Sequence, residues 1–179
     1  IQCQDYDDAL YFDVPNRYIN VYITNPSSLI YNNQELYDII YNNRFTIYGH
    51  RKTYNMYPIE YSNDILSLKE NTIKFCKIFK IQYDEDWNFK NIEMENNYVK
   101  ITKNWSYEKY DKIMKKNKDM DVFYNKYNIL DSHELVSHFM IKVNEFVTSV
   151  IPNCYYRIID NGRGIYSTEK VKHSVLNSY

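Results

Sequence analysis

The chain has 179 residues, a formal net charge of −1 and a pI near 6.5. This length suits one ordinary domain, and 44% hydrophobic with 17% aromatic residues excludes a disordered chain. Three glycines are too few for a glycine-rich phosphate loop or a dinucleotide fingerprint. No apolar run is long enough to span a membrane, so no membrane partner is expected. The near-neutral charge argues against a nucleic acid partner.

Several segments have residue patterns typical of helices or strands. Apolar residues at helical spacing predict helices, and runs of β-branched and aromatic residues predict strands. In chain order, the sequence predicts a strand at 18–24, helices at 34–43 and 62–79, a strand at 98–102, helices at 107–117 and 132–151, and a strand at 155–159. The helices dominate, so the expected fold is mainly α with a few short strands, and α+β is the alternative.

The helix that begins near residue 132 has the strongest signal. Asp131-Ser132-His133-Glu134 has the form of a capping box, with Asp131 or Ser132 as N-cap. Apolar residues then recur at helical spacing until Pro152. The interval therefore predicts a long amphipathic helix.

The chain also aligns with itself at an offset of about 70 residues. The run 54–57 falls on 124–127, and 37–38 falls on 110–111. The sequence thus predicts two duplicated helical units that share a core, at 1–76 and 77–154, followed by an extension at 155–179. Tyrosines that recur in register are interpreted as buried positions with bonded hydroxyls; they are Tyr37, Tyr54, Tyr57, Tyr110, Tyr124 and Tyr127.

Few side chains offer catalytic chemistry. His133 and His138 are five residues apart, about 140° around a helix, so they cannot face one metal ion. The acidic runs at 84–86 and at Asp5-Asp7-Asp8 could supply paired carboxylates for hydrolysis. Because neighbouring acids on a short segment point in different directions, these runs are interpreted as solvated turns. We expect no catalytic residue, no metal site, no cofactor and no enzymatic activity.

Two surface features are candidates for binding or modification. Residues 100–126 contain eight lysines, which predict a solvated helix face and a candidate interaction patch at Lys109, Lys112, Lys115 and Lys116. Asn104-Trp105-Ser106 is a glycosylation sequon, so Asn104 is a candidate acceptor.

The three cysteines fall at the seams of the duplication. Cys3 opens the first copy, Cys76 lies at the junction and Cys154 closes the second. Tandem copies bounded by cysteines with tyrosines between them, in a Tyr- and Asn-rich chain that begins at Ile1, resemble the bicycle family of aphid salivary effectors.

This resemblance implies a secreted, non-enzymatic protein that has lost a signal peptide before Ile1 and binds a host plant protein during feeding or gall induction. An oxidising compartment would also join two of the three thiols, with Cys76 the favoured participant because it belongs to both seams.

Two alternatives stay open. One is an intracellular helical interaction module of an AT-rich parasite or virus, with reduced cysteines; a signal peptide on the precursor would exclude it. The other is a small hydrolase or nuclease that uses carboxylates and histidines; it requires those side chains to converge in one place.

Overall fold

The computed structural model describes residues 5–50, 52–151, 156–160 and 163–167. Within these ranges the chain forms an α+β fold. The strands are β1 (Asp8–Asp13), β2 (Tyr18–Thr24), β3 (Ile47–Tyr48), β4 (Thr53–Tyr54), β5 (Ile73–Tyr83), β6 (Phe89–Lys100), β7 (Tyr156–Asp160) and β8 (Arg163–Ser167). The helices are α1 (Ser27–Tyr31), α2 (Gln34–Asn43), α3 (Tyr107–Met114), α4 (Asp121–Lys126) and α5 (Ser132–Val150), with a π-helical turn at Tyr61–Ile65 and a 3-10 turn at Lys118–Met120.

Four strands form one sheet in the order β1-β2-β5-β6. Hydrogen bonds at the two ends of the central pair fix its direction, because the Asn25 N–H donates to the Phe75 carbonyl and the Tyr83 N–H donates to the Arg17 carbonyl. Because the higher-numbered end of β2 pairs with the lower-numbered end of β5, the two strands are antiparallel. Two further antiparallel hairpins, β3 with β4 and β7 with β8, lie outside this sheet.

The contacts divide the chain into two interleaved compact units. The first unit holds the chain up to Tyr11 together with Tyr22–Phe79 and Met94–Asn104, and the second holds Phe12–Val21, Lys80–Glu93 and the chain from Trp105 onward. The predicted limits at residues 76 and 154 stay a prediction; residue 76 lies inside β5.

The core of the first unit is aliphatic. Leu68 and Cys76 have no exposed surface, and Ile78 and Ile101 are at least 95% buried. Tyr6 and three other partly buried side chains pack against this cluster. These residues therefore form a small apolar core, against which the segment that contains Tyr6 packs.

The second unit has an aromatic core. Phe123 of α4 is fully buried, and its ring lies 5.3 Å from that of Trp87 and 5.8 Å, stacked, from that of Phe139 in α5. Tyr83 at the end of β5 meets the Phe123 ring edge-on at 5.5 Å. Apolar residues three and four apart on α5 supply the rest of this packing, as its amphipathic pattern predicts.

The prediction of a mainly α fold is wrong. The expected helix at 62–79 consists of the π-helical turn and then the 11-residue strand β5. Asn71, two residues before the strand begins, has a φ of 65°, a left-handed conformation through which a right-handed helix cannot continue. Ile73, Cys76 and Phe79 recur every three residues and so have helical spacing, but they lie in a strand that buries residues on both of its faces.

Other predicted elements are confirmed. β2 and α2 have the predicted bounds, and α5 begins at Ser132 with Asp131 as N-cap, whose side chain accepts from the Glu134 N–H at 2.9 Å. α3 is shorter than predicted and ends at Met114. None of the described helices is both long and apolar enough to cross a bilayer.

Candidate functional site

Three carboxylates lie together where the chain enters β1. We call Asp5, Asp7 and Asp8 the acidic cluster. Tyr6, between the first two, packs against the aliphatic core of the first unit, whereas the Asp5 and Asp7 carboxyl groups hydrogen-bond to each other. Alternate residues of an extended chain point to the same side, so a spacing of two brings these two acids together.

The backbone of the acidic cluster is held by hydrogen bonds from two directions. The Tyr6 N–H donates to the Ser67 Oγ at 3.1 Å, and the Leu68 N–H donates to the Tyr6 carbonyl at 2.8 Å. The Thr24 N–H of β2 donates to the Asp7 carbonyl at 3.1 Å. Because Ser67 is fully buried, these contacts fix the segment that carries both acids.

The acidic cluster has perturbed proton affinities. Burial, the charge of Asp7 and the hydrogen bond to Asp7 raise the pKa of Asp5 to about 6. Burial and the Asp7 charge also raise the pKa of Asp8 and that of the Tyr57 hydroxyl. The Asp5 and Asp7 side chains are exposed, and the Asp7 charge nevertheless acts on three neighbouring titratable groups.

This arrangement has two chemical uses. A carboxyl group with a pKa near 6 can exchange a proton close to neutral pH, as a general acid or base must. A pair of carboxylates is also what Mg²⁺ commonly takes from a protein when substrate phosphates complete its coordination. The described residues contain no group of three or more side chains placed to hold a metal ion. Asp5 and Asp7 could therefore supply one or two of the ligands of a Mg²⁺ ion, with phosphate oxygens and water as the others.

Replacing Ser67 with alanine tests how this backbone is held. The variant leaves the partly buried Tyr6 N–H without its acceptor, so the free energy of unfolding should fall by about 1 kcal/mol in urea titrations. Ser149→Ala, on an exposed turn of α5, is the matched control and should shift it by less than about 0.5 kcal/mol. Equal stability of the two variants would show that the Ser67 contact does not hold the segment.

The six in-register tyrosines lie in different environments. Tyr37 and Tyr54 are exposed rather than buried, at 47% and 57%, and Tyr57 is half-buried near Asp7. Tyr124 is buried and shares a side-chain hydrogen bond with Tyr110.

Tyr127, the last of the six, donates its hydroxyl hydrogen to the Trp87 carbonyl at 2.8 Å.

The candidate lysine patch is solvent-exposed on α3 and the residues after it, and its role in binding stays a prediction; its members are Lys109, Lys112, Lys115 and Lys116.

The sequon asparagine is engaged inside the protein. The Asn104 Nδ2 donates to the Leu68 carbonyl at 3.0 Å, and its Oδ1 accepts from the Glu70 N–H. Glycosylation of Asn104 stays a prediction.

The predicted disulfide through Cys76 is wrong. Cys76 is a free thiol with no exposed surface, and burial raises its pKa to about 11, which leaves it uncharged and unreactive at neutral pH. Cys3 and Cys154 lie outside the described residues.

The sequence contains a signal for the acidic cluster that the interpretation of Asp5-Asp7-Asp8 as a solvated turn misses. That interpretation assumes that neighbouring carboxylates on a short segment point in different directions. Residues two apart in an extended chain converge instead, and the apolar run that follows Asp8 marks a strand. The contribution of Ser67, 60 or more residues further along the chain, has no local signature.

Comparisons with known proteins give a consistent result. A family model described as "RNB domain" matches residues 1–124. No curated protein sequence matches the chain. Among solved structures, Mycoplasma genitalium RNase R in complex with double-stranded RNA is 16% identical at a TM-score of 0.56, with 83% of this chain and 26% of that chain covered.

Two further structures are similar. Mycoplasma genitalium RNase R in complex with ribose-methylated single-stranded RNA is 14% identical, with a TM-score of 0.56 and coverage of 98% of this chain and 28% of that one. Yeast Ssd1, described as a pseudonuclease, is 11% identical, with a TM-score of 0.63 and coverage of 86% and 25%. The chain therefore spans about a quarter of the length of these proteins.

These matches correct the functional interpretation. The resemblance to the bicycle effectors was wrong, because it depended on cysteine seams and a helical duplication, whereas the sequence matches an RNB domain and the backbone matches RNase R and Ssd1. The prediction of an effector that binds a host plant protein is therefore wrong, whereas secretion stays a prediction. The argument against a nucleic acid partner is also overturned, since two of the matched structures are complexes with RNA. Net charge was a poor guide, because a local site does not depend on the charge of the whole chain.

Proposed function

This chain belongs to the RNB domain family, and from that premise we propose that it binds RNA and that the acidic cluster is where an RNA phosphodiester is hydrolysed. The matched RNase R structures contain RNA, which supports the choice of substrate. The proposal concerns a chain that spans about a quarter of those proteins, so it is confined to the residues described above.

The observation that carries the proposal is the hydrogen-bonded pair of Asp5 and Asp7. Two carboxyl groups in contact repel when both are ionised, and this repulsion contributes to the raised pKa of Asp5. A structural role would be served better by a neutral or oppositely charged partner. Such a pair is useful where protons or cations must be handled, as at a hydrolytic centre.

The chemistry of RNA fits this pair. A phosphodiester is anionic and cannot approach three carboxylates unless positive charge offsets the repulsion. A divalent cation held by Asp7 would supply that charge and polarise the phosphate. Asp5 is then left to accept the proton of an attacking water as the water oxygen bonds to phosphorus, and to return that proton to the ribose oxygen as its bond to phosphorus breaks.

The protein provides the positioning for this step. The contacts of Ser67, Leu68 and Thr24 hold the backbone at Tyr6 and Asp7, so the two carboxylates need little reorganisation when substrate arrives. Ser67 is a positioning residue in this scheme, because it acts through the Tyr6 backbone.

A second candidate function is RNA binding without hydrolysis. It is favoured by the finding that no three ligand side chains converge on a metal position in the described part of the chain. The similarity to Ssd1, a pseudonuclease, agrees with it. Membership of the RNB family is compatible with both functions. Whether the chain is a nuclease or has no enzymatic activity must therefore be decided by experiment.

The test uses the full chain and an end-labelled single-stranded RNA of mixed sequence. We expect fluorescence anisotropy to show binding that weakens as salt is raised, and gel electrophoresis to show shortening of the RNA with Mg²⁺ but not with EDTA. Binding without shortening in Mg²⁺ would favour the second candidate. Absence of binding at low salt would contradict both.

A further inference from the structure

A second surface of the first unit carries exposed aromatic and cationic side chains. It is formed by the last turns of α2 and by the β3–β4 hairpin. We call it the aromatic–basic platform; its members are Tyr37, Tyr41, Arg44, Lys52 and Tyr54. None of these residues belongs to the acidic cluster.

Two rings of the aromatic–basic platform are stacked on α2. Tyr37 and Tyr41 are four residues apart, which places them on one face of the helix. Their ring centroids are 5.9 Å apart at an interplanar angle of 15°, and the side chains are 47% and 61% exposed. A parallel pair of exposed rings leaves an aromatic face in solvent.

Each half of the aromatic–basic platform pairs a ring with a cation. The Arg44 guanidinium lies 5.9 Å from the Tyr41 centroid, and the Lys52 ammonium lies 4.9 Å from that of Tyr54. Tyr54 is 57% exposed. Positive charge is therefore held beside aromatic surface in both pairs.

Hydrogen bonds connect the two halves. The Asn43 Nδ2 at the end of α2 donates to the Asn55 and Met56 carbonyls at 3.2 and 3.1 Å. The Met56 N–H in turn donates to the Thr46 Oγ1 at 3.1 Å. The end of α2, which follows Tyr41, and the end of β4, which holds Tyr54, thus form one local scaffold.

Arg44 occupies a strained backbone position. Its φ is 61° and its ψ is −40°, and the Phe45 N–H donates to the Asn43 carbonyl at 2.7 Å across it. This is a γ-turn of positive φ, a rare conformation that glycine adopts with least strain. Strained non-glycine residues are concentrated at functional sites. Here the turn directs the guanidinium to Tyr41.

We infer that the aromatic–basic platform binds single-stranded RNA by stacking unpaired bases on its rings and placing phosphates beside Arg44 and Lys52. Proteins that bind single-stranded nucleic acids without sequence preference use the same combination of aromatic rings and cations. A protein partner is less favoured, because the exposed rings are accompanied by cations whose charge complements a polyanion. The two acids of α2, Glu35 and Asp38, lie in the first half of that helix and would repel phosphates there. Phosphates are therefore expected at the other end, beside Arg44. The inference rests on the proposed RNA binding.

The experiment measures binding of the full chain to a labelled 12-nucleotide single-stranded RNA and to the same sequence as a duplex. Tyr41→Ala should weaken single-strand binding about tenfold, because one stacked base is lost, and should change duplex binding less than twofold. Tyr41→Phe keeps the ring and should bind like wild type. Tyr31→Ala, at a tyrosine 90% exposed on α1, is the matched control and should also bind like wild type.

Arg44→Gly supplies a variant that does not fail by unfolding. Glycine relieves the positive φ, so its thermal midpoint should equal or exceed that of wild type while single-strand affinity falls at least threefold. Wild-type affinity in both Tyr41→Ala and Arg44→Gly would overturn this inference and leave the proposed function intact. A wild-type chain that binds no RNA would overturn both. Self-association lost in Tyr41→Ala, with RNA binding unchanged, would assign the surface to protein contacts.

Discussion

Asp7→Asn is expected to reduce Mg²⁺-dependent RNA shortening by at least about 100-fold, the scale on which positioned acid–base groups act. Asparagine keeps the shape of the side chain but removes the charge that acts on Asp5, Asp8 and Tyr57. Both contributions of Asp7 are lost together, since a neutral amide binds Mg²⁺ poorly and its charge no longer adds to the burial that raises the pKa of Asp5. Single-turnover assays with end-labelled RNA measure the effect.

A pH profile of stability separates this chemical role from unfolding. The pKa of Asp5 rises from 3.8 to about 6 on folding, so the folded state binds the proton more tightly than the unfolded state. The stability it contributes is present below pH 3.8 and is lost as the pH rises through 6. Asp7→Asn should flatten this fall and leave the protein at least as stable as wild type at pH 7.

The matched control for this prediction is Asp119→Asn, at an exposed acid of the 3-10 turn. It should shorten RNA at the wild-type rate. Unchanged activity in Asp7→Asn would remove the acidic cluster from the proposed mechanism, and an unchanged pH profile would show that Asp7 does not set the pKa of Asp5.

Elements whose signals are local could be predicted from the sequence. α5 has a capping residue, a helical apolar period and a proline after its end, and all three act within one segment. β2 is short and rich in β-branched residues, so its bounds also follow from local preference. Such elements need no knowledge of their neighbours.

The long hairpin of β5 and β6 could not be predicted in this way. β6 has 12 residues, of which only Ile92 is buried, so it lacks the alternation that marks a half-buried strand. Its conformation comes from pairing with β5, a contact between segments. The residues of β5 predict a helix because the apolar side chains of Ile73, Cys76 and Phe79 recur every three residues.

The site was hidden for a related reason. The carboxylates of Asp5 and Asp7 were visible in the sequence, but their convergence depends on an extended backbone that Ser67 and Thr24 hold from elsewhere in the chain. The aromatic–basic platform was equally hidden. Tyr37 and Tyr54 were interpreted as core residues because they recur in register, and recurrence does not distinguish a buried ring from an exposed one.

Phe123→Ala is expected to lower the free energy of unfolding by about 4 kcal/mol, as for other fully buried phenylalanines. The ring has no exposed surface and packs between Trp87 and Phe139, with centroid distances of 5.3 and 5.8 Å. Its removal deletes apolar contacts on both sides, and rigid aromatic neighbours cannot collapse into the cavity. Urea titration followed by tryptophan fluorescence measures the loss.

Two variants define the cause of that loss. Phe123→Leu fills most of the volume and should cost less than about 1.5 kcal/mol, whereas Phe45→Ala, at a ring 62% exposed, should cost less than about 0.5 kcal/mol. If Phe123→Ala costs no more than Phe45→Ala, the aromatic cluster does not stabilise the second unit. If instead Phe123→Leu is as damaging as Phe123→Ala, edge-to-face ring geometry rather than filled volume provides the stability.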